Sequence, residues 1–245
     1  MTDFSHLGER FEAAVIGATG GIGAAFVEAL EALPAVSRVH ALSRGARPVG
    51  GAKAMPGRLD LEDEASIAAA VGQMGEGLRL VIVATGLLHA ETMMPEKTWR
   101  DLTPQAFARN FAVNTTGSAL VAKHFLPLLP RKDPSIFAAI SARVGSISDN
   151  QAGGWYAYRA SKAALNQVLK CLAIEEARRR PQLVIAGLQP GTVRTPLSAP
   201  FRGQVKPEDL LDPSTSAKGL LNVLADLTPD QSGSLFDWRG NAFPP

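Results

Sequence analysis

Short apolar runs alternating with longer amphipathic stretches constrain this chain more than any other feature. Ala13 to Ile16, Val36 to Leu42, residues 54 to 60, Leu78 to Ala84, Ser135 to Ile140, Leu183 to Leu188 and Ser234 to Trp238 read as strands. The fourth run, Leu-Arg-Leu-Val-Ile-Val-Ala, has a core apolar on both faces, the mark of a fully buried strand. Gly21 to Leu33 places Ile22, Phe26, Val27, Leu30 and Leu33 at helical spacing, and Pro34 stops it. Further helices are expected over 61–74, 103–129, 155–180 and 214–227. Loops are expected over 44–51, 86–102, 141–154 and 190–213. Strands that alternate with helices imply right-handed crossovers and a parallel sheet covered on both faces. The expected fold is α/β, a single doubly wound domain over 1–245 with a parallel sheet of about seven strands. No linker, repeat or composition break divides it. Ligands of such sheets bind outside the carboxyl ends of the strands.

Charge and cysteine content exclude several function classes. The chain has 245 residues with 25 Lys and Arg against 23 Asp and Glu, a net charge of +2. A nucleic-acid binder carries a basic face, and none is expected here. Arg178 to Arg180 reads as a solvated helix end favoured by the macrodipole. Cys171 is the only cysteine, which leaves no intrachain disulfide and no cysteine-rich metal site. The four histidines, His6, His40, His89 and His124, show no ligand spacing, and no metal is expected. No apolar run reaches the roughly 18 residues of a membrane helix, and Met1 to Arg10 does not read as a signal peptide. A soluble, reduced, cytoplasmic protein is expected.

Residues 15 to 23, Val-Ile-Gly-Ala-Thr-Gly-Gly-Ile-Gly, join the first strand to the first helix. Glycines at this turn let backbone approach a pyrophosphate, and the free N–H groups and positive dipole end of the helix face it. The spacing of Gly17, Gly21 and Gly23 is G-x-x-x-G-x-G, unlike the commoner G-x-G-x-x-G. A tight strand-to-helix turn without a ligand would use the same residues. The second strand ends in Ser43-Arg44. The acid that holds a ribose 2′-hydroxyl is missing there, and a guanidinium suits the 2′-phosphate of NADP.

Tyr158 and Lys162 stand four residues apart on one helix face. An isolated phenol is a poor acid–base group at neutral pH, and a neighbouring ammonium favours its ionised form. On spacing alone the two also read as a half-buried surface pair.

The glycine turn, Asn114 in the helix after the fourth strand, serines after the fifth, and Tyr158 with Lys162 together resemble the short-chain dehydrogenase/reductase family. The resemblance includes Asp60-Leu61 after the third strand and Pro190-Gly191-Thr192 after the sixth, and it covers nearly the whole chain. Arg143 to Ile147, Gly154-Trp155-Tyr156, Tyr158 to Asn166 and Leu235 to Trp238 are similar to the C-factor branch, which includes sniffer-type carbonyl reductases.

The resemblance implies a Rossmann-type fold and a nicotinamide cofactor, NADP(H) preferred and NAD(H) possible. Tyr158 would protonate a carbonyl oxygen. Lys162 would hold the nicotinamide ribose and lower the phenol pKa. Asn114 would fix a water that leads to Lys162, and Ser141 would orient the substrate. The cofactor would be held by Gly17, Thr19, Gly20, Gly21, Ile22, Gly23, Ser43, Arg44, Asp60, Leu61, Ala84, Thr85 and Gly86, by Tyr158 and Lys162, and by Pro190, Gly191, Thr192, Val193 and Thr195. Residues 192–212 would form a substrate lid, with Leu197, Pro200, Phe201 and Val205 lining an apolar pocket. A homodimer or homotetramer acting on a small carbonyl or alcohol substrate is implied. Asn114, Asp60 and Pro190-Gly191 also have plain structural readings, as a buried hydrogen-bonder, a helix N-cap and a turn.

Two positions depart from the family pattern. Val83-Ala84-Thr85-Gly86 stands where the family shows Asn-Asn-Ala-Gly. In Ser141-Ala142-Arg143-Val144-Gly145, Ala142 occupies the place of the substrate-orienting serine, which leaves Ser141 first and Ser146 second as substitutes. The expected function is NADPH-dependent reduction of an aldehyde or ketone. The alternative is a cofactor-binding signalling or regulatory protein of the C-factor type with weak or no turnover.

Overall fold

The computed structural model describes every residue except Met1, Ala46, Pro48 and Gln73. The loop expected over 44–51 and the helix expected over 61–74 thus include positions outside the described residues. In chain order the elements are β1 (Phe11–Ile16), α1 (Gly21–Glu31), β2 (Val36–Ser43), β3 (Ala54–Arg58), α2 (Glu64–Val71) and β4 (Leu78–Val83). There follow α3 (Pro104–Phe111), α4 (Gly117–Phe125), β5 (Ser135–Ile140), α5 (Tyr156–Glu176) and β6 (Leu183–Gln189). The chain ends with β7 (Thr192–Val193), β8 (Leu210–Leu211), α6 (Pro213–Asp226), β9 (Ser234–Asp237) and β10 (Ala242–Phe243).

The main sheet has eight strands in the order β10-β9-β6-β5-β4-β1-β2-β3. Seven run parallel, and β10 pairs antiparallel with β9 at one edge. This is the Rossmann-type α/β fold. The expected seven parallel strands are all present. The eighth was missed because Ala242–Phe243 is two residues long and carries no readable period. The strand order reverses between β1 and β4, so a crevice opens beyond their carboxyl ends.

Alternation along the buried strands divides the core. Ala13, Val15, Leu80 and Ile82 join Phe26 and Leu30 of α1 and Leu220 and Leu224 of α6 on one face. Ala14, Ile16, Val81 and Val83 join Ile67 of α2, Val121 and Phe125 of α4, and Leu165 and Leu169 of α5 on the other. Each fully buried Leu, Ile or Phe contributes about 1.5–3 kcal/mol, and both faces must stay covered. That fixes α1 and α5 on opposite sides of the crevice.

Two expected helices are corrected. The stretch expected as one helix over 103–129 is α3, a π-helical turn over Ala112–Thr116, α4, and a closing 3-10 turn over Leu126–Leu128. Apolar periodicity runs through all four, so the sequence did not show the break. The helix expected from residue 61 begins at Glu64, and its N-cap is Asp63, whose carboxylate accepts from Ser66 N at 3.3 Å. Asp60 is therefore not the cap. The segment over 192–212 is ordered by its own bonds. Thr192 and Val193 pair with Leu210 and Leu211, and residues Ala199–Gln204 form a 3-10 helix.

Candidate active site

A cleft of about 300 Å³ opens at the carboxyl ends of β1, β2 and β4, within the range of small-ligand sites. Ten of the residues expected from sequence line it: Gly17, Thr19, Gly20, Ser43, Arg44, Asp60, Leu61, Ala84, Thr85 and Gly86. The side-chain oxygens of Ser43 and Thr85 are buried and have no partner among the described residues. A buried hydroxyl without a partner costs about 1–3 kcal/mol, and a polar ligand in the cleft would recover it. The N-cap of α1 is Gly20, which offers no side-chain acceptor to the first-turn N–H groups. Those donors and the positive end of α1 suit an anion. The turn also depends on close approach, since a Cβ at Gly23 would stand 2.1 Å from the Gly17 carbonyl oxygen. Asp60 is half-buried and uses one carboxylate oxygen on Glu62 N at 3.1 Å. Arg44 is exposed at the rim. These features fit the phosphates and ribose of a dinucleotide.

The tyrosine and lysine lie on the same side of the sheet edge. Both are buried, and Lys162 is only 1% exposed. Burial alone pushes the Tyr158 phenol up to about 12 and the Lys162 ammonium down to about 7. Each shift disfavours a charged form in a low-dielectric setting. Lys162 Nζ donates to the Ile140 carbonyl at 2.7 Å. The ammonium is thus aimed at the end of β5, and the four-residue spacing does not by itself pair it with the phenol.

Asn114 sits in the π-helical turn, a device frequent at functional sites. Its side chain clamps the Leu87 backbone. Leu87 N donates to Asn114 Oδ1 at 2.7 Å, and Asn114 Nδ2 donates to Leu87 O at 2.8 Å. The same amide nitrogen reaches Ser161 Oγ at 3.0 Å, and Ser161 Oγ donates to Tyr158 O at 2.8 Å. The π-turn, the β4 exit and α5 are therefore tied together behind the cleft. A methyl group built on Gly86 would stand 3.8 Å from both Asn114 Oδ1 and Lys162 Nζ, and 3.9 Å from Leu197 Cδ2. The cleft, the lysine and the 192–212 segment meet at that point.

Residues 12–206 match the profile of the family described as short chain dehydrogenase. The chain belongs to that family. This short-chain dehydrogenase is 35% identical to C-signal of Myxococcus xanthus over 138 residues, which span 56% of this chain and 77% of that protein. The NADPH-bound carbonyl reductase from chicken fatty liver superposes with a TM-score of 0.80 and 26% identity, covering 96% of this chain and all of that one (100%). A Burkholderia multivorans structure with bound NADP gives a TM-score of 0.79 and 25% identity, with coverage of 96% and 100%. The likenesses place this family member with the carbonyl reductase and C-factor type.

The remaining expected residues of this short-chain dehydrogenase are not among those that line the cleft. Gly21 and Thr195 face each other, and a Cβ on Gly21 would stand 2.7 Å from Thr195 Cγ2. The 192–212 segment thus packs on the first turn of α1, where Ile22 is half-buried. Pro190 O accepts from Ser216 Oγ at 2.7 Å, and Gly191 follows with a positive φ of 78°. Thr192 and Val193 are held in the β7–β8 ladder. Neither candidate serine is free. Ser141 Oγ is buried and donates to Asn166 Oδ1 at 2.6 Å. Ser146 Oγ donates to Pro245 O at 3.3 Å and accepts from Asp149 N at 3.2 Å.

Several site residues escaped sequence reasoning. Arg109 of α3 lines the cleft and forms an ion pair with Glu62 across it. His89, given no role on sequence, lies within hydrogen-bond range of the carbonyls of Leu197 and Pro196, at 3.2 and 3.4 Å. Phe201 of the 199–204 turn packs edge-on against Trp155 at 5.0 Å and His89 at 5.7 Å, and Trp155 packs against Tyr158 at 6.3 Å. Three segments far apart in sequence make this aromatic wall, so no local spacing signalled it. Among the described residues no group of three or more His, Cys, Asp or Glu is placed to hold a metal. Among them, no helix is long and apolar enough to cross a membrane.

Proposed function

We propose that this family member is an NADPH-dependent reductase of aldehydes or ketones, with Tyr158 as the proton donor. The observation that carries the reading is the meeting of Lys162, Asn114 and the lid at Gly86, beside a cleft with two unpartnered buried hydroxyls. The NADP-bound and NADPH-bound likenesses support the choice of cofactor. Arg44 at the rim would take the 2′-phosphate through paired charged hydrogen bonds. Ser43, Thr85 and Asp60 would hold the adenosine end, and the first turn of α1 the pyrophosphate. Bound there, the reduced nicotinamide supplies the hydride.

The chain's own residues do the rest. The lid and the aromatic wall exclude water and seat an apolar carbonyl compound. Tyr158 holds its proton firmly, as burial dictates, and gives it to the carbonyl oxygen as negative charge develops there. Lys162, whose ammonium burial brings down to about 7, exchanges a proton readily near neutral pH at the end of β5. Asn114 keeps the Leu87 backbone fixed behind the site. Ser141 is the second hydroxyl at the substrate oxygen, once its proton leaves Asn166.

The test is NADPH consumption against a panel of aldehydes, ketones and quinones, with Tyr158→Phe in parallel. Turnover that the variant loses while still binding NADPH supports the reading. A second reading rests on the identity with C-signal and on Ala142 at the serine position: a cofactor-binding signalling protein with weak turnover. NADPH binding with no turnover across the panel favours that second reading.

A further inference from the structure

The helix that carries Tyr158 begins without a cap of its own. Its N-cap is Trp155, which has no side-chain acceptor for the first-turn N–H groups. Ser, Thr, Asp or Asn ordinarily fills this position. Trp155 is also the one non-glycine among the described residues with a positive φ, at 51°. Left-handed backbone at a bulky residue is strained and persists only where surroundings impose it.

Glu96, about sixty residues upstream in the strap between β4 and α3, supplies what is missing. Its carboxylate Oε2 accepts from Ala157 N at 3.2 Å, inside the first turn of α5. Its main-chain oxygen accepts from Trp155 N at 2.6 Å. One residue thus grips the helix start through side chain and backbone together. Gly154, just before it, has a φ of 64°, a left-handed backbone that favours glycine. The strap is braced from its other end, because Asp101 Oδ2 accepts from Lys97 N at 3.2 Å and Thr98 N at 3.0 Å.

Glu96 is only 4% exposed, and its Oε1 has no partner among the described residues. Burying a carboxylate is costly unless it is compensated. Here the compensation is the α5 amide and the positive end of that helix. Such a residue is an expensive way to stabilise a fold, since an Asn or Ser at position 155 would cap α5 locally. What the arrangement provides is a tryptophan at the cap position, beside Tyr158, with its ring free to meet Phe201.

We propose that Glu96 is a positioning residue for Tyr158. Its buried carboxylate caps α5 from outside and fixes the turn on which the phenol and the Trp155 indole stand. This rests on the reading of Tyr158 as the proton donor. A misplacement of 1 Å costs on the order of 100-fold in rate, so a loosened first turn acts on kcat before it acts on cofactor binding.

The experiment compares full-length wild type with Glu96→Ala, Glu96→Gln and Glu96→Asp. It reads kcat and KM on the best carbonyl compound of the panel, NADPH affinity by fluorescence titration, and amide hydrogen exchange over residues 155–161. Glu96→Ala is expected to lose about tenfold or more in kcat, with KM and NADPH affinity within about twofold. Its exchange rises over 155–161 only. Glu96→Gln keeps the acceptor at the same reach and is expected to retain kcat within about threefold. Wild-type kcat in Glu96→Ala overturns the proposal. So does joint loss of kcat and NADPH affinity, or a Glu96→Gln as slow as Glu96→Ala.

If Glu96→Ala does not fold, Glu96→Asp carries the test. It keeps the charge, shortens the reach by one methylene, and is expected to lose about fivefold in kcat at unchanged NADPH affinity. Wild-type kcat there overturns the proposal. If the wild type turns over nothing, the reductase reading has failed, and exchange decides the anchor by itself. Unchanged protection over 155–161 in the variant that folds then overturns it.

Discussion

Lys162 makes the stability of this protein depend on pH in a direction that can be worked out in advance. Its ammonium is 1% exposed, and burial lowers its pKa from 10.5 to about 7. In the unfolded chain the group keeps its proton until about 10.4. Between these values the unfolded state binds more protons, so stability rises with pH, by about 1.4 kcal/mol per unit for one proton. From pH 7.5 to 9 the gain is about 2 kcal/mol, or roughly 5 °C in Tm for a chain of this size. Tyr158 acts in the opposite sense, with a pKa raised to about 12. Its folded form keeps a proton that the unfolded chain releases near 10, so it lowers stability only above that window. Lys162→Met removes the ammonium and leaves every other titrating group in place. Urea melts of wild type and Lys162→Met at pH 6.5, 7.5, 8.5 and 9 isolate the contribution. The wild type is expected to gain on the variant across the series. Parallel curves for the two proteins would refute the argument that this lysine is buried at a cost.

Arg44→Ala is expected to weaken NADPH binding by about 10- to 100-fold, the worth of a charged phosphate contact of about 1.5–3 kcal/mol, with NADH nearly unaffected. Equal loss for the two cofactors removes the 2′-phosphate assignment. Ser141→Ala is expected to lower kcat more than Ser146→Ala; steady-state kinetics giving the reverse order refutes the choice. Phe201→Ala takes the ring off Trp155 and His89. It is expected to raise KM for carbonyl substrates about three- to tenfold with NADPH affinity unchanged, and an unchanged KM shows that the wall does not seat substrate.

The sequence by itself determined the doubly wound sheet, because two-sided burial writes apolar runs that no solvent-facing strand would tolerate. β1, β2, β4, β5 and β6 were legible this way, whereas β3 is largely exposed and carries Pro56 and Gly57, so its period is weak. The cleft was half legible. Glycines, Asp60 and Thr85 lie immediately after strands, and a parallel sheet must bring such positions to one edge. Where local periodicity continued through a change of geometry, the sequence was silent. The π-turn at Asn114 is invisible in the apolar pattern of 103–129, and the Leu87 backbone that Asn114 clamps lies in another segment. Lys162 looked like a partner for Tyr158 on helical spacing, yet its Nζ is claimed by Ile140 O. Only the tertiary structure brings His89, Trp155 and Phe201 into one wall and sets Glu96 under the first turn of α5. Those contacts join segments tens of residues apart. Their energy belongs to pairs of surfaces, which no window of neighbouring residues contains.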